Sequence, residues 1–527
     1  MKTFLLFVLT LSGSLAFAGP FKNIDSIKKS LNFNSYYSQK NPSRPLKIAV
    51  LDKGFYGYEK QIGKTLPANT RYVAGPVTNP DGIRVEHGLK MAQILTSLMT
   101  NDLQAKQWMP ELTLYNAFGY SNFKAAIDDV IANKVDLVLY SEVWEYGGNN
   151  DGQGFINAQV TRAARAGVLW VNAVGNFGRT TYNTRVRTGD DNWVALPDRN
   201  NALAIRCQPT QGKKCQVKIV LSWDDFKNDV EAGTKKDLDL ALTDDLLNVI
   251  QSSALTQSSD RKESRPGYSK YPREIIAAEL SPGLFYIRVK DRSNNLSDED
   301  SLRITADGDG VSMPSNTPQE TALNPADNPL VIAVGANDSD RSSSSLRMKK
   351  PDLMAPSSIV LQNDDEFRGS SNSAAIVAAG LALLKSAKPD MTREEMLRAV
   401  RVSYDWHIPG LSLTLLKFAP TGDRCFLEAK LNPTPDYVKN VLGKGGVPVQ
   451  TTAGIRIMVP FDPIRIAPYL SRALANDMVV VTPQGRYDVY SRTATIPSGA
   501  VEIFQRPLES GLCAIPSLQR GKSFRLP

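Results

Sequence analysis

The stretch Gly369-Ser370-Ser371-Asn372-Ser373-Ala374-Ala375-Ile376-Val377-Ala378-Ala379-Gly380-Leu381-Ala382-Leu383-Leu384 puts a tight Gly-Ser-Ser turn ahead of a run of small and aliphatic residues. It reads as a buried helix whose first turn carries Ser371. A hydroxyl in that position has unpaired backbone N–H groups and the positive end of the helix dipole beside it, which can steady a negatively charged oxygen. The small residues from Ser373 to Gly380 let the helix approach neighbouring backbone closely, as an element threaded through a domain centre must. Taken alone, the stretch also fits a capped core helix with no chemistry, so the pattern on either side has to decide.

Upstream, from Leu46, short apolar strands alternate with helical periodicity. Strands are expected at Lys47–Leu51, Leu112–Ala117, Val135–Tyr140 and Val168–Ala173, and helices at Val85–Met99, Phe123–Asn133 and Phe155–Ala166. Near-continuous Val, Leu and Ile strands between helices predict an α/β fold with a mostly parallel sheet covered on both faces. A further strand is expected at Ala202–Arg206, after which the pattern changes. From about Gln208 to Gly310, alternating runs such as Cys215–Trp223, Leu238–Leu242, Glu274–Leu280 and Gly283–Val289 are divided by charged turns, the pattern of an all-β sandwich. The α/β pattern returns at Pro329–Gly335 and runs through the serine helix. Thr392-Arg393-Glu394-Glu395 then forms a capping box for a helix expected over Arg393–Val402. Past about Pro409 the chain is mixed and strand-leaning. The predicted division is 1–18 signal, 19–45 extended polar lead-in, 46–205 first α/β part, 206–315 inserted β-sandwich, 316–408 second α/β part and 409–527 mixed C-terminal domain.

A chain of 527 residues exceeds one ordinary core, and 42% hydrophobic with 22% charged residues is the balance of a globular protein. Lys and Arg outnumber Asp and Glu by 62 to 54, but the basic residues are scattered, so a nucleic-acid partner is not expected. Lys2, the apolar run Phe4–Leu11 and Ala16-Phe17-Ala18 have the form of a secretory signal, and no later apolar run reaches bilayer length. The expected location is therefore extracellular or periplasmic, with no membrane span. Four cysteines suit an oxidising compartment; proximity favours Cys207 with Cys215, leaving Cys425 with Cys513, and no CxxC spacing suggests zinc.

A nucleophilic Ser371 needs a base, and the chain has two histidines. His87 opens a helix whose apolar face is Met91, Ile94, Leu95 and Leu98. The helix N-terminus disfavours the cation there, so the neutral, proton-accepting form is expected near neutral pH. His407, in Tyr404-Asp405-Trp406-His407, sits in an aromatic turn and reads as a surface or packing residue, with Asp405 beside it keeping it as the second candidate base. Asp52 ends the strand KIAVL before a glycine turn, at the sheet edge where α/β proteins place their sites. Asn176, in Ala173-Val174-Gly175-Asn176-Phe177-Gly178, follows a strand and can turn its amide toward a developing oxyanion.

With IAVLDKG, EHGLKMAQIL, VNAVGNFG and KKPDLMAP followed by GSSNSAAIVAAG in that order, the chain resembles the subtilisin-like serine proteases, or subtilases of peptidase family S8. The resemblance covers about 46–200 and 320–405. It implies a three-layer α/β fold interrupted by the β-sandwich, and an exported monomeric endopeptidase that hydrolyses proteins or peptides without a required cofactor. Asp52, His87 and Ser371 would form the triad, Asn176 the oxyanion donor, and Ser141 and Glu142 part of the substrate cleft, where Glu142 and Glu145 would favour basic side chains. The insert, with VLSWDDF, DLDLAL and LSPGLFYIRVKD, looks like the jelly-roll modules that accompany secreted proteases; Asp224, Asp225, Asp237 and Asp239 are its candidates for a structural calcium ion, solvated turns being the simpler account. The chain departs from the family pattern at Lys53, Leu89, Ser370 and Ala375, and its lead-in is far shorter than a folded pro-domain. Lys53 would set a cation beside Asp52. The alternative is a catalytically silent relative that binds proteins or glycans.

Overall fold

The structure is a computed structural model that describes residues 19–31, 33, 37, 44–78, 84–100, 109–209, 214–259 and 266–405, and beyond them the strands at 413–418, 425–430, 447–451, 454–461, 478–482 and 485–489. The leader at 1–18, His407 and Cys513 lie outside the described residues.

A nine-stranded sheet sets the frame. Its order is Arg71–Val73, Glu111–Asn116, Lys47–Asp52, Leu137–Tyr140, Leu169–Ala173, Ile332–Ala336, Leu353–Ala355, Leu413–Phe418 and Val400–Asp405. Every described pair is parallel except the last, which is antiparallel. Period-two alternation sorts the side chains between two cores. Ile48 and Val50 join the core that contains the helices His87–Met99 and Ser370–Ala387, while Ala49 and Leu51 join the core under Gly119–Ala132 and Phe155–Arg165. A sheet buried on both faces needs apolar residues at every strand position, which is why these strands read as continuous hydrophobic runs. The strand ending at Asp52 lies between Glu111–Asn116 and Leu137–Tyr140, where the strand order reverses direction. The crevice at such a reversal opens at the carboxyl ends of the strands.

Two antiparallel sheets occupy the span from Thr181 to Ser312. One orders Val249–Ser253, Leu238–Thr243, Gly283–Asp291, Leu203–Cys207 and Val311–Ser312; the other orders Arg273–Leu280, Cys215–Trp223, Ser301–Asp307 and Thr181–Arg185. A single apolar cluster, with Ile205, Leu240 and Val289 from the first sheet and Ile219, Leu221 and Ile304 from the second, joins them. The Cys207–Cys215 disulfide ties the end of a strand in one to the start of a strand in the other.

Three elements differ from their expectation. The lead-in contains a helix, Ile24–Ser30, because Ile24, Ile27 and Leu31 fall on one face and bury against the main core beside Phe21. The helix after the capping box stops at Ala399 and Val400–Asp405 is a strand, its β-branched valines pairing with Leu413–Phe418. Thr181–Arg185, a polar stretch within the first α/β segment, pairs with Ser301–Asp307 in the antiparallel region. The capping box itself forms: Glu395 N–H donates to Thr392 Oγ1 at 3.2 Å and Thr392 N–H donates to Glu395 at 2.8 Å.

Candidate active site

Asp52 is the last residue of its strand and is fully buried. Its Oδ1 accepts the Lys53 backbone N–H at 2.9 Å, and its Oδ2 lies 2.7 Å from Nδ1 of His87. A carboxylate only accepts, so Nδ1 carries a proton toward Asp52, and Nε2 is the nitrogen that accepts once the ring is neutral. The helix that His87 opens reaches the strand end through Gly88, whose N–H donates to the Gly54 carbonyl at 2.9 Å. A Cβ at Gly88 would stand 2.6 Å from the Asp52 Cβ and 2.6 Å from the Phe55 ring, so only glycine allows this approach.

The imidazole is one-third exposed and faces a second carboxylate. Glu142, just past the strand Leu137–Tyr140, lies 3.6 Å from Nδ1 and pairs with the Lys53 ammonium at 3.2 Å. Burial opposes protonation of His87, but the charge and hydrogen bond of Asp52, with the charge of Glu142 behind them, outweigh it and push the pKa up to about 9. The neutral histidine expected from its helix position is thereby corrected: two carboxylates within hydrogen-bond or ion-pair range outweigh one helix dipole. Glu142 is itself pushed up, first by burial and then by Asp52, with Lys53 pulling the other way.

Ser371 sits in the first turn of the helix Ser370–Ala387, and its hydroxyl donates to the Ser141 carbonyl at 3.0 Å. Among the described residues no hydrogen bond joins it to His87. Gly369 precedes this helix at φ 154°, in a region closed to residues with a Cβ, and an added Cβ would come within 3.1 Å of the Asn176 amide nitrogen. Asn176 lies in the loop after Leu169–Ala173. Its Oδ1 accepts the Ser370 N–H at 2.9 Å, which fixes the amide and leaves Nδ2 as its outward donor. Ser370 Oγ in turn accepts the Gly175 N–H at 3.1 Å, so the asparagine loop and the serine turn hold each other.

The structure thus brings Asp52 and His87 into contact, joins Asn176 to the Ser371 turn and joins Ser371 to Ser141. Glu142 points at Lys53 and His87 instead of standing as a free acid in the cleft. Glu145 is buried, accepting from Thr305 Oγ1 at 3.0 Å and pairing with Lys218. Beside Lys53 a cleft of about 710 Å³ runs along Phe55, Tyr58, Tyr72 and Leu89. Of the calcium candidates, Asp224 accepts the Ser301 N–H at 2.8 Å, Asp225 pairs with Lys227 at 2.6 Å, Asp239 pairs with Arg292, and Asp237 is pushed up to about 6 by burial and by the charge of Asp239. Among the described residues none of the four belongs to a group of three or more His, Cys, Asp or Glu with ligand atoms within 4.8 Å of one another; Asp52, His87 and Glu142 form such a group. The Lys53–Glu142 pairing is what the sequence reading missed. The charge change at Lys53 was visible, but the partner lies 89 residues away and only the sheet order brings it near.

Comparison with known proteins gives a match to one family model over part of the chain. Residues 248–405 match the model of the Subtilase family, peptidase S8, a span that includes Ser371 but not Asp52, His87 or Asn176. No curated protein matches the chain. Among solved structures, the CspB protease of Clostridium perfringens is 12% identical, with 79% of this chain and 99% of that chain covered and a TM-score of 0.45. No helix among the described residues is long and apolar enough to cross a membrane.

Proposed function

With the subtilase match over residues 248–405 as premise, we propose that this protein is an exported serine endopeptidase that cleaves peptide bonds through Asp52, His87 and Ser371, on a subtilisin-like fold that carries the two antiparallel sheets as a jelly-roll-like insert. The domain limits of 46–205, 206–315 and 316–408 belong to the same proposal. The observation that carries it is the 2.7 Å contact between Asp52 and His87, with the Ser371 turn locked to Asn176 nearby.

The chemistry follows from these positions. The Ser371 hydroxyl leaves the Ser141 carbonyl, gives its proton to Nε2 of His87 and attacks the scissile carbonyl carbon. Asn176 Nδ2 and the backbone N–H groups of the first helical turn receive the oxyanion, a term worth about 3 kcal/mol per donor. Asp52 compensates the imidazolium, which hands its proton to the departing amine. Water, deprotonated by the same His87 Nε2, then cleaves the acyl-enzyme and frees Ser371. None of these steps routes through a metal; a calcium ion held by the insert would serve structure alone. The aromatic cleft beside Lys53 supplies apolar surface for substrate side chains.

The test is hydrolysis of a denatured protein by the full mature chain, compared with Ser371→Ala and His87→Ala. Cleavage lost in both variants, with native-like circular dichroism, is the expected result. Cleavage that survives Ser371→Ala refutes the assignment, and a folded native chain without cleavage points to the binding scaffold, which the Ser371–Ser141 hydrogen bond would then describe as a resting arrangement.

A further inference from the structure

Two carboxylates converge on Nδ1 of His87, and a triad requires one. Asp52 approaches at 2.7 Å from the end of its own strand. Glu142 approaches at 3.6 Å from the end of the neighbouring strand, its side chain only 22% exposed. A second carboxylate so close to the first carries a repulsive cost, and it persists only where something offsets that cost. Lys53 does so: its ammonium stands 3.2 Å from one Glu142 oxygen and 3.3 Å from the other. The strand register explains the placement, since Leu51 lies opposite Tyr140, so the two strand ends that carry Asp52-Lys53 and Ser141-Glu142 lie side by side.

We propose that Glu142 is a positioning residue for His87 and that Lys53 is its counter-ion, the two forming a charged pair that sets the pH at which the histidine can accept the serine proton. The proposal rests on the peptidase reading above. Glu142 favours the imidazolium and Lys53 opposes it, so the pair works as opposed weights on one ring. The groups facing His87 are Asp52, Glu142 and Lys53; those facing Glu142 are Asp52, Lys53, His87 and the buried Tyr140 hydroxyl; Lys53 also feels Asp52 and Asp307, the latter from the four-stranded antiparallel sheet. Glu142 cannot serve as a free recognition acid for basic substrates while its charge is so engaged. Either partner's removal therefore changes the histidine and not merely the cleft.

The two-histidine composition makes the test direct. The ring signals of the full mature chain are titrated by NMR, with His87 identified by its loss in His87→Asn, and the same titration is run on Glu142→Gln, Lys53→Met and the double variant. The expected midpoint in the native protein is about 9. It should fall by about one pH unit or more in Glu142→Gln, rise in Lys53→Met, and lie between these in the double variant, which leaves neither charge unpaired if a single variant fails to fold. The rate of fluorophosphonate labelling at Ser371 should shift along pH in the same directions. Midpoints that do not move, or that move the same way in both single variants, overturn the pair's action on His87. Labelling absent at every pH, with the NMR shifts present, overturns instead the peptidase reading and with it the catalytic meaning of the pair.

Discussion

At the residue scale, the site depends on a few groups with no slack. Asn176 has its carbonyl oxygen committed to the Ser370 N–H, so Asn176→Ala removes one oriented donor together with the acceptor that ties down the serine turn. The expected result is a fall in kcat of about 10²- to 10³-fold with KM nearly unchanged, read by steady-state hydrolysis of a peptide substrate. His87 gives a second expectation. The folded protein holds its proton up to about pH 9, whereas the unfolded chain releases it near the ordinary histidine value of 6.5. The stability this contributes is therefore complete below 6.5 and disappears as pH rises through about 9. Urea midpoints of the native chain should decline over that window more steeply than those of His87→Asn. Asp52, His87, Asn176 and Ser371 were legible as candidates because each sits at an element edge in a short motif. The ionisation of His87 was not, because beyond Asp52 it depends on Glu142, whose approach is set by strand order and not by sequence distance.

At the element scale, Gly88 decides how closely the His87 helix meets the end of the Asp52 strand. Gly88→Ala would drive a methyl group into Asp52, Phe55 and the Gly54 carbonyl, all within 2.8 Å. The expected outcome is a loss of about 1–3 kcal/mol in stability, with activity falling further than stability because the strand end moves with the clash. Thermal unfolding and kcat/KM measured on the same sample separate the two. The serine helix was readable from its small-residue run, and its burial from Ser373 to Leu383 agrees with the close packing expected there. The helix Ile24–Ser30 was not, since seven residues in a polar context give a weak period and its apolar face is only meaningful once the main core is present. The strand Val400–Asp405 escaped for a related reason: it follows a genuine capping box without a break, and its pairing partner comes later in the chain.

At the scale of the whole molecule, the parallel sheet and the antiparallel sheets meet through polar as well as apolar contacts. Glu145, from the loop beyond the Leu137–Tyr140 strand, is buried against Thr305 and Lys218 of the four-stranded sheet, and burial pushes its carboxyl up. Lys218→Met leaves that carboxyl without its cation and should lower the melting temperature by several degrees, the equivalent of about 1–3 kcal/mol. The disulfide Cys207–Cys215 closes a short loop between the two antiparallel sheets. Its removal by paired Cys→Ser substitutions should cost about 2 kcal/mol in urea unfolding. The alternation of strands with helices, then of strands with turns, made this two-part plan legible. The strand Thr181–Arg185 was missed because its five residues, Thr-Tyr-Asn-Thr-Arg, carry no apolar alternation and gain their place only by pairing with Ser301–Asp307.

The measurement that bears most directly on the central claim is peptide mapping of the full mature chain after reaction with a fluorophosphonate at pH 9, near the midpoint of His87. A single adduct on Ser371, absent from both Ser371→Ala and His87→Ala while each remains folded, is the result this account requires. An adduct on another residue, or none on a folded native chain, contradicts it.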